Sequence, residues 1–185
     1  MDERYLAAAA ANGDQQAFTI LVERYRPYIY TIAYKIALHE DDALDITQNV
    51  LVRLVEKIGN FNGRGAFRSW LAAIAANEAS DFLKRPSRRE VSTEPEILEG
   101  LSDARQENET SDPRKALDTA QRRRLVEAAM ASLSPQQRAI FALRLREDMG
   151  PAEIAEQLGL PPGQVRSQLH RAIARIREML TAQSR

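Results

Sequence analysis

The sequence predicts an all-α protein of two small helical domains joined by a flexible acidic linker, with a helix-turn-helix in the C-terminal domain. Apolar residues recur at helical spacing in residues 14–85 and again in residues 119–180. Residues 86–118 are instead rich in Ser, Glu, Asp, Thr and Pro, with little periodicity. Residues 151–177 read as a short helix, a glycine turn and a longer helix. We therefore expect domains at residues 1–85 and 119–185, with a linker over 86–118.

Composition excludes several classes of protein. The chain has no cysteine, so disulfide frameworks and thiolate metal sites are excluded. No apolar run approaches the ~18 residues that span a bilayer, and the N-terminus has no signal-peptide pattern. We expect a soluble, cytoplasmic protein with no metal or other cofactor.

The net charge of zero hides an uneven distribution. Residues 1–85 carry 10 basic and 11 acidic side chains, and the linker carries 5 and 9. Residues 119–185 carry 11 basic and 6 acidic side chains, and all 11 basic ones are arginine. Arginine suits bidentate contacts with phosphate and guanine, although an Arg-rich solvated surface explains the charge equally well. The neutral total predicts weak DNA binding by the chain alone, because few phosphates would be neutralised.

Three helices are predicted in the N-terminal domain, the first beginning near Asp14. Its apolar positions are Phe18, Leu21, Val22, Tyr25, Ile29, Ile32, Ala33 and Ile36. Pro27 lies inside this run and should kink or divide the helix. The second helix, over 42–58, has an apolar stripe of Leu44, Leu51, Leu54, Val55 and Ile58. An irregular loop over 59–65 precedes the third helix, whose core face is Phe67, Trp70, Leu71, Ile74, Ala75 and Phe82.

The C-terminal domain has clear helix boundaries. A first helix carries Leu125, Val126, Ala129 and Leu133. In the linker that precedes it, a short helix is predicted near Glu96–Leu101. Ser134 is suited to an N-cap, with Pro135 at the first position and Gln137 at the third. Gly159 is suited to the tight turn of the helix-turn-helix. The inward positions of its two helices are Ile154, Ala155, Leu158, Val165, Leu169, Ile173 and Ile176.

The outward face of the last helix is polar at the end that meets base edges in this docking geometry. It carries Gln164, Arg166, Ser167, Gln168, His170 and Arg171. Arg166 is suited to guanine, and Gln164 or Gln168 to adenine. Arg175 and Arg177 lie further along and suit phosphates. This clustering favours duplex DNA binding over the alternative, an ordinary helical hairpin with a solvated arginine face.

Taken together, three blocks resemble the extracytoplasmic-function (ECF) sigma factors, the small two-domain class of bacterial sigma factors. The first block is Asp42 to Asn49. The second runs from Phe61 to Arg85 and includes the run Phe67-Arg68-Ser69-Trp70-Leu71. The third begins at Leu133-Ser134-Pro135 and continues through Glu153-Ile154-Ala155 to Arg171-Ala172. The resemblance covers nearly the whole chain except the linker.

The resemblance implies two binding sites in the N-terminal domain. The first block would dock on RNA polymerase through a polar strip of Asp45, Gln48, Asn49 and Arg53. The loop would recognise the −10 promoter element by holding a base flipped out of the opened non-template strand. Its residues would be Asn60, Phe61, Asn62, Gly63, Arg64 and Gly65, with Asn77 at the upstream edge of the element. We expect Trp70, at helical spacing with Phe67 and Ile74, to be structural.

The third block resembles the domain that reads the −35 element, and Arg166, Ser167, His170 and Arg171 match its DNA-contacting face. The implied partners are core RNA polymerase, promoter DNA as duplex and as single non-template strand, and an anti-sigma factor. The acidic linker would follow a basic polymerase channel. No nucleophile, general base or metal is required, so no enzymatic activity is expected.

Two other functions fit parts of the sequence. One is a dimeric helix-turn-helix regulator with a helical sensor domain, although no dimerisation heptad or ligand pocket is evident. The other is a protein-binding helical adaptor, which would not depend on Arg166 and Arg171. An enzyme is the weakest alternative, because no constellation of catalytic side chains is present.

Overall fold

A computed structural model describes residues 3–61, 63, 66–85 and 124–182, and all elements in these ranges are helices, as predicted. Asn62, Arg64, Gly65, the linker and its predicted short helix at Glu96–Leu101 lie outside the described residues. In the described ranges, no helix combines the length and the apolar character needed to cross a bilayer.

The N-terminal lobe contains four helices. They are α1 (Glu3–Ala11), α2 (Gln15–Ala37), α3 (Glu40–Lys57) and α4 (Phe67–Lys84), with a 3-10 turn over Ile58–Asn60 after α3. The C-terminal lobe contains α5 over 124–131, α6 (Pro135–Arg146), α7 (Pro151–Leu158) and α8 (Pro162–Ala182).

Helix α1 was not predicted. Its alanine-rich sequence favours helix, and Leu6, Ala7 and Ala10 are buried against the lobe. Helix α2 begins where the Asp14 carboxylate accepts hydrogen bonds from the backbone N–H groups of Gln16 (2.9 Å) and Ala17 (3.1 Å).

Pro27 does not divide α2, which continues unbroken from Gln15 to Ala37, so that part of the prediction is wrong. A proline inside a helix costs about 3 kcal/mol. Here Pro27 is exposed, while Tyr25 and Ile29 on either side of it are buried in the core. Burial of the opposite face keeps the helix continuous.

The predicted apolar stripe of α3 is partly wrong. Leu44 is 49% exposed and Val55 is 62% exposed. The buried positions are Ala43, Ile46, Val50 and Leu54, which follow the 3.6-residue period more closely. The prediction favoured large apolar side chains and so placed the buried face at the wrong positions. The small residue Ala43 lies on the face that is buried.

Helix α4 is the centre of the molecule, because it packs on α2 and α3 on one side and on α6 and α7 on the other. Its predicted core residues Phe67, Leu71 and Ile74 are buried, as are the alanines between them. The small alanines allow helices to approach from both sides. The two lobes therefore share one apolar core, a contact that the sequence did not predict.

The helix-turn-helix forms largely as predicted. Ser134 and Gln137 make a reciprocal capping box at the start of α6, with hydrogen bonds of 3.3 and 2.9 Å. Gly159 ends α7 with a φ of 62°, the left-handed region that favours glycine. One inner position of α8 is wrong: Ile173 is 46% exposed, and Ala172 is buried in its place.

Candidate nucleic-acid and polymerase interfaces

The predicted duplex-reading residues lie on an outer face of α8. Arg166, His170, Arg171 and Arg175 are exposed, and Gln164, Ser167 and Gln168 are half-buried. Val165, Leu169 and Ala172 are buried on the opposite side and hold the helix against α7 and α6. The Arg171 guanidinium donates a 2.7 Å hydrogen bond to the Ser167 hydroxyl. Four arginines, including Arg177, are thus presented to solvent on a helix whose buried side packs on the core.

Part of the predicted −10 loop is anchored by aromatic packing. The Phe61 ring centre lies 5.3 Å from that of Phe67 and 5.2 Å from that of Trp70. Phe67 in turn contacts Tyr25, with ring centres 5.4 Å apart. Trp70 is half-buried in this cluster, in agreement with its predicted structural role. Asn60 and Gly63 are exposed beside the cluster, and Gly63 has a φ of 70°.

Asn77, the predicted contact at the upstream edge of the −10 element, faces the other lobe. Its side-chain amide donates a 2.9 Å hydrogen bond to the backbone carbonyl of Gln157 in α7. In this arrangement the amide is engaged by the helix-turn-helix. In the packed arrangement, α7 therefore lies against the side chain of Asn77.

The four predicted polymerase contacts on α3 fall into two groups. Asp45 and Gln48 are exposed. Asn49 and Arg53 face α4, where the Asn49 amide lies 3.1 Å and the Arg53 Nε 2.6 Å from carboxylate oxygens of Glu78. The Glu78 side chain is only 1% exposed.

Glu78 is a functional candidate that sequence reasoning missed. Besides the two α3 residues, the Arg85 guanidinium lies 3.3 Å from a Glu78 oxygen, so one buried carboxylate ties α3 to the C-terminal half of α4. The signal was available in the sequence, since Glu78 is an acid within the alanine-rich stretch of α4. A buried acid needs charged or hydrogen-bonding partners.

An exposed apolar strip lies on α3. Leu44, Val52 and Val55 are exposed, and with Gln48 they recur at intervals of three and four residues along one face of α3. The sequence pattern predicts Leu44 and Val55 to be buried, and both are exposed. A cluster of exposed apolar side chains is typical of a surface that binds another protein.

A carboxylate from the C-terminal lobe is buried against the N-terminal lobe. Glu147, at the end of α6, has a side chain only 4% exposed. Its Oε1 accepts hydrogen bonds from the Tyr28 hydroxyl and from Arg68 Nε, the latter at 3.5 Å, and its Oε2 accepts from the Ser69 hydroxyl at 3.3 Å. The Arg68 guanidinium also lies 4.3 Å from the centre of the Tyr28 ring. Burial, with the adjacent Glu147 carboxylate, raises the pKa of Tyr28 well above its ordinary value.

Arg138 of α6 is a second polar contact between the lobes. Its Nε donates to the backbone carbonyl of Ile36 at 2.5 Å, and its Nη1 donates to that of Leu133 at 2.9 Å. Burial lowers the pKa of Arg138 to about 10, so the side chain remains charged at neutral pH. The two carbonyls compensate a buried cation and fix α6 against the end of α2.

Comparison with known protein families assigns both lobes. Residues 21–89 match the family model for sigma-70 region 2, and residues 123–176 match that for sigma-70 region 4. The first match begins within α2 and includes α3 and α4, and the second includes α6, α7 and most of α8.

Two relatives give the same assignment. The chain is 31% identical, over 94% of its length, to the ECF RNA polymerase sigma factor SigE of Mycolicibacterium smegmatis, of which it spans 66%. It is 28% identical, over 93% of its length, to the ECF RNA polymerase sigma-E factor of Escherichia coli, of which it spans 91%. Among solved structures it is similar to CnrH in complex with the cytosolic domain of CnrY, with a TM-score of 0.61 and 26% identity. That match covers 97% of each chain.

Proposed function

Because the chain belongs to the extracytoplasmic-function (ECF) family of RNA polymerase sigma factors, we propose that its two lobes divide promoter recognition between them. The N-terminal lobe binds core RNA polymerase and captures the opened −10 strand. The C-terminal lobe reads the −35 element as intact duplex. The observation that carries this proposal is the exposed face of α8, because its arginines, glutamines and histidine are the side chains that read base edges.

The C-terminal lobe is suited to duplex DNA. Arg166 lies in the first half of the second helix of the helix-turn-helix, which is the part that reaches base edges. Gln164 and Gln168 lie beside it and suit adenine, and Ser167 and His170 complete the face. Arg171 and Arg175 extend the positive charge along the helix toward the DNA backbone.

The polymerase-binding surface is proposed to be the outer face of α3. Asp45 and Gln48 supply its polar contacts, and the strip of Leu44, Val52 and Val55 supplies apolar area. Burial of apolar side chains is the main source of affinity in protein interfaces. Asn49 and Arg53 contribute at the edge of this surface, where Glu78 fixes their orientation.

The −10 element is proposed to bind at the loop between α3 and α4. We propose that the flipped base is held against the Phe61 ring, which Phe67 and Trp70 support. Stacking on an aromatic ring returns about 1–3 kcal/mol per base, which offsets the cost of unstacking. Asn60, Asn62, Gly63 and Arg64 would supply polar contacts and backbone freedom to the pocket, with Asn77 at its upstream edge.

Use of both sites at once requires the lobes to separate. The two promoter elements lie one to two helical turns apart, roughly 35–70 Å. The 33 residues of the linker span at most roughly 110 Å when extended, which covers this distance. In the packed arrangement, Asn77 is instead hydrogen-bonded to Gln157 of the helix-turn-helix. We propose that the packed lobes are the resting form and that polymerase binds the separated form.

A protein partner that holds the chain inactive is part of this proposal. The similar structure of CnrH is a complex with the cytosolic domain of CnrY, so a chain of this fold binds a second protein. We propose that an anti-sigma factor binds this chain and competes with polymerase for it.

In vitro transcription tests the proposed function. Core RNA polymerase with the wild-type chain should produce discrete transcripts from a subset of a promoter panel, and core alone should produce none. The double variant Arg166→Ala, Arg171→Ala should lose these transcripts while keeping its affinity for core. Failure of the wild-type chain to bind core or to direct any transcript would overturn the proposal.

A further inference from the structure

We propose that Tyr28, Arg68 and Ser69 form a phosphate-binding site for the opened promoter strand, and that Glu147 of the other lobe occupies this site while the lobes are packed together. The inference rests on the proposed function, because it assumes that DNA approaches the loop before α4. If it holds, the N-terminal lobe has a further ligand site, and Glu147 keeps that site from binding DNA while the lobes are packed.

The three side chains already hold an anion. Tyr28 and Ser69 each donate a hydroxyl to the Glu147 carboxylate, and Arg68 brings a positive charge within 3.5 Å of it. Arg68 is itself oriented by lying over the Tyr28 ring at 4.3 Å. These three residues, here called the cradle, lie on α2 and α4 of one lobe. Only the bound carboxylate, that of Glu147, comes from the other lobe.

The position of the cradle in the helix also favours an anion. Arg68 and Ser69 lie in the first turn of α4, where unpaired backbone N–H groups give the helix a positive end. Ala66, the N-cap, has no side-chain oxygen to accept hydrogen bonds from that turn. The seated carboxylate of Glu147 is an independent observation that an anion fits here.

The neighbouring residues suggest which anion would replace it. Arg68 and Ser69 follow Phe67 and directly precede Trp70, which support the Phe61 ring of the proposed base pocket. A single strand whose base reached that ring would carry its phosphodiester past the first turn of α4. A phosphodiester has one negative charge and two free oxygens, the same charge and number of acceptors as a carboxylate.

Glu147 and a phosphate cannot occupy this site at the same time. When the lobes separate, Glu147 leaves the site. The three donor side chains of the cradle are then without an anionic partner. DNA binding at this site therefore favours the separated form, and the packed form lowers the affinity of the free chain for single-stranded DNA.

Binding of a fluorescent single-stranded oligonucleotide to the full chain tests this, by anisotropy at several salt concentrations without polymerase. The variant Glu147→Ala should bind roughly tenfold more tightly than wild type, as expected for one charge-assisted contact. The slope of log affinity against log salt should steepen by about 0.7, the value for one neutralised phosphate of a single strand.

Matched variants assign the gain to the cradle. Arg68→Ala in the Glu147→Ala background should return both affinity and slope to wild-type values. Tyr28→Phe in the same background keeps the ring under Arg68, so it should lower affinity without changing the slope. Glu178→Ala removes an exposed acid from the same lobe and should have no effect of this size. A gain that survives Arg68→Ala, or that Glu178→Ala reproduces, overturns the inference.

An oligonucleotide with uncharged methylphosphonate linkages provides a test that needs no Arg68 variant. Wild type and Glu147→Ala should bind it equally; a persistent difference between them overturns the phosphate assignment. The outcome is separable from that of the proposed function. If wild type directs transcription but Glu147→Ala binds the charged strand no more tightly, only this inference fails. If wild type directs no transcription, the proposed function fails whatever the binding shows.

Discussion

The two lobes differ in whether their predicted contact residues are exposed or are bonded to other residues of the chain. In the C-terminal lobe, Arg166, His170 and Arg171 lie exposed on α8, and the buried side of the helix holds them in place. In the N-terminal lobe, several predicted contacts are already engaged within the chain. Asn49 and Arg53 face Glu78, and Asn77 donates to the backbone of α7.

This difference follows from what each lobe is proposed to bind. Duplex DNA exists before the protein arrives, so a finished, rigid surface can read it. The opened strand exists only within the polymerase complex, so its binding site gains nothing from being exposed earlier. Internal partners such as Gln157 and Glu147 satisfy polar groups of the N-terminal lobe in the packed form, and we propose that DNA replaces them.

The largest expected effect is on the N-terminal core. Phe67→Ala should lower the free energy of unfolding by about 3–5 kcal/mol, because it removes a buried ring from a close-packed cluster. Chemical denaturation followed by circular dichroism measures this. Val52→Ala, at a position 62% exposed on α3, is the control and should change stability by no more than about 0.5 kcal/mol. A small effect of Phe67→Ala would mean that the aromatic cluster does not anchor the loop.

The sequence predicted most of the helices, because long apolar periodicities decide helix positions. Errors arose where large apolar residues were preferred over small ones as core positions. In α3, the larger Leu44 and Val55 were assigned to the core, although Ala43 and Ile46 are the buried residues. In α8, Ile173 was chosen over Ala172 for the same reason.

The contact between the lobes could not be predicted from sequence patterns. It depends on pairs far apart in the chain, such as Tyr28 with Glu147 and Asn77 with Gln157. Each residue alone is an ordinary polar side chain, and only the packing of α4 between both lobes brings the partners together. The predicted duplex-reading face was easier to identify, because its residues lie within two turns of one helix.

Arg166→Ala sharpens the comparison by testing the exposed lobe alone. Stability should be unchanged, because the side chain is exposed. Promoter binding by the complex with core polymerase should weaken by about 1–3 kcal/mol, and discrimination should relax at a single base pair of the −35 element. Arg175→Ala, proposed to meet phosphate, should weaken binding to all promoters evenly. Loss of the same base preference in both variants would contradict the separate roles given to these two arginines.

Glu78→Gln tests the engaged lobe. The substitution keeps the shape of a buried side chain but removes the charge that Arg53 and Arg85 approach. The expected loss is about 1–2 kcal/mol, since hydrogen bonds to charged groups are strong but both arginines are partly in water. Thermal denaturation measures it. Asp81→Asn, at an exposed acid three residues further along α4, is the control and should have almost no effect. Equal effects of the two variants would show that Glu78 does not organise this surface.

The smallest expected effect distinguishes a shared core from two independent ones. Ser134→Ala removes the capping hydrogen bond at the start of α6, which costs about 1 kcal/mol. Because α6 packs on α4 and on α2, this loss should lower the midpoint of one unfolding transition that includes both lobes. Hydrogen exchange of amides along α2, a helix of the other lobe, should accelerate together with exchange in α6. Faster exchange confined to α6 would mean that the lobes unfold separately, and that the packed form is too weak to withhold Asn77 from DNA.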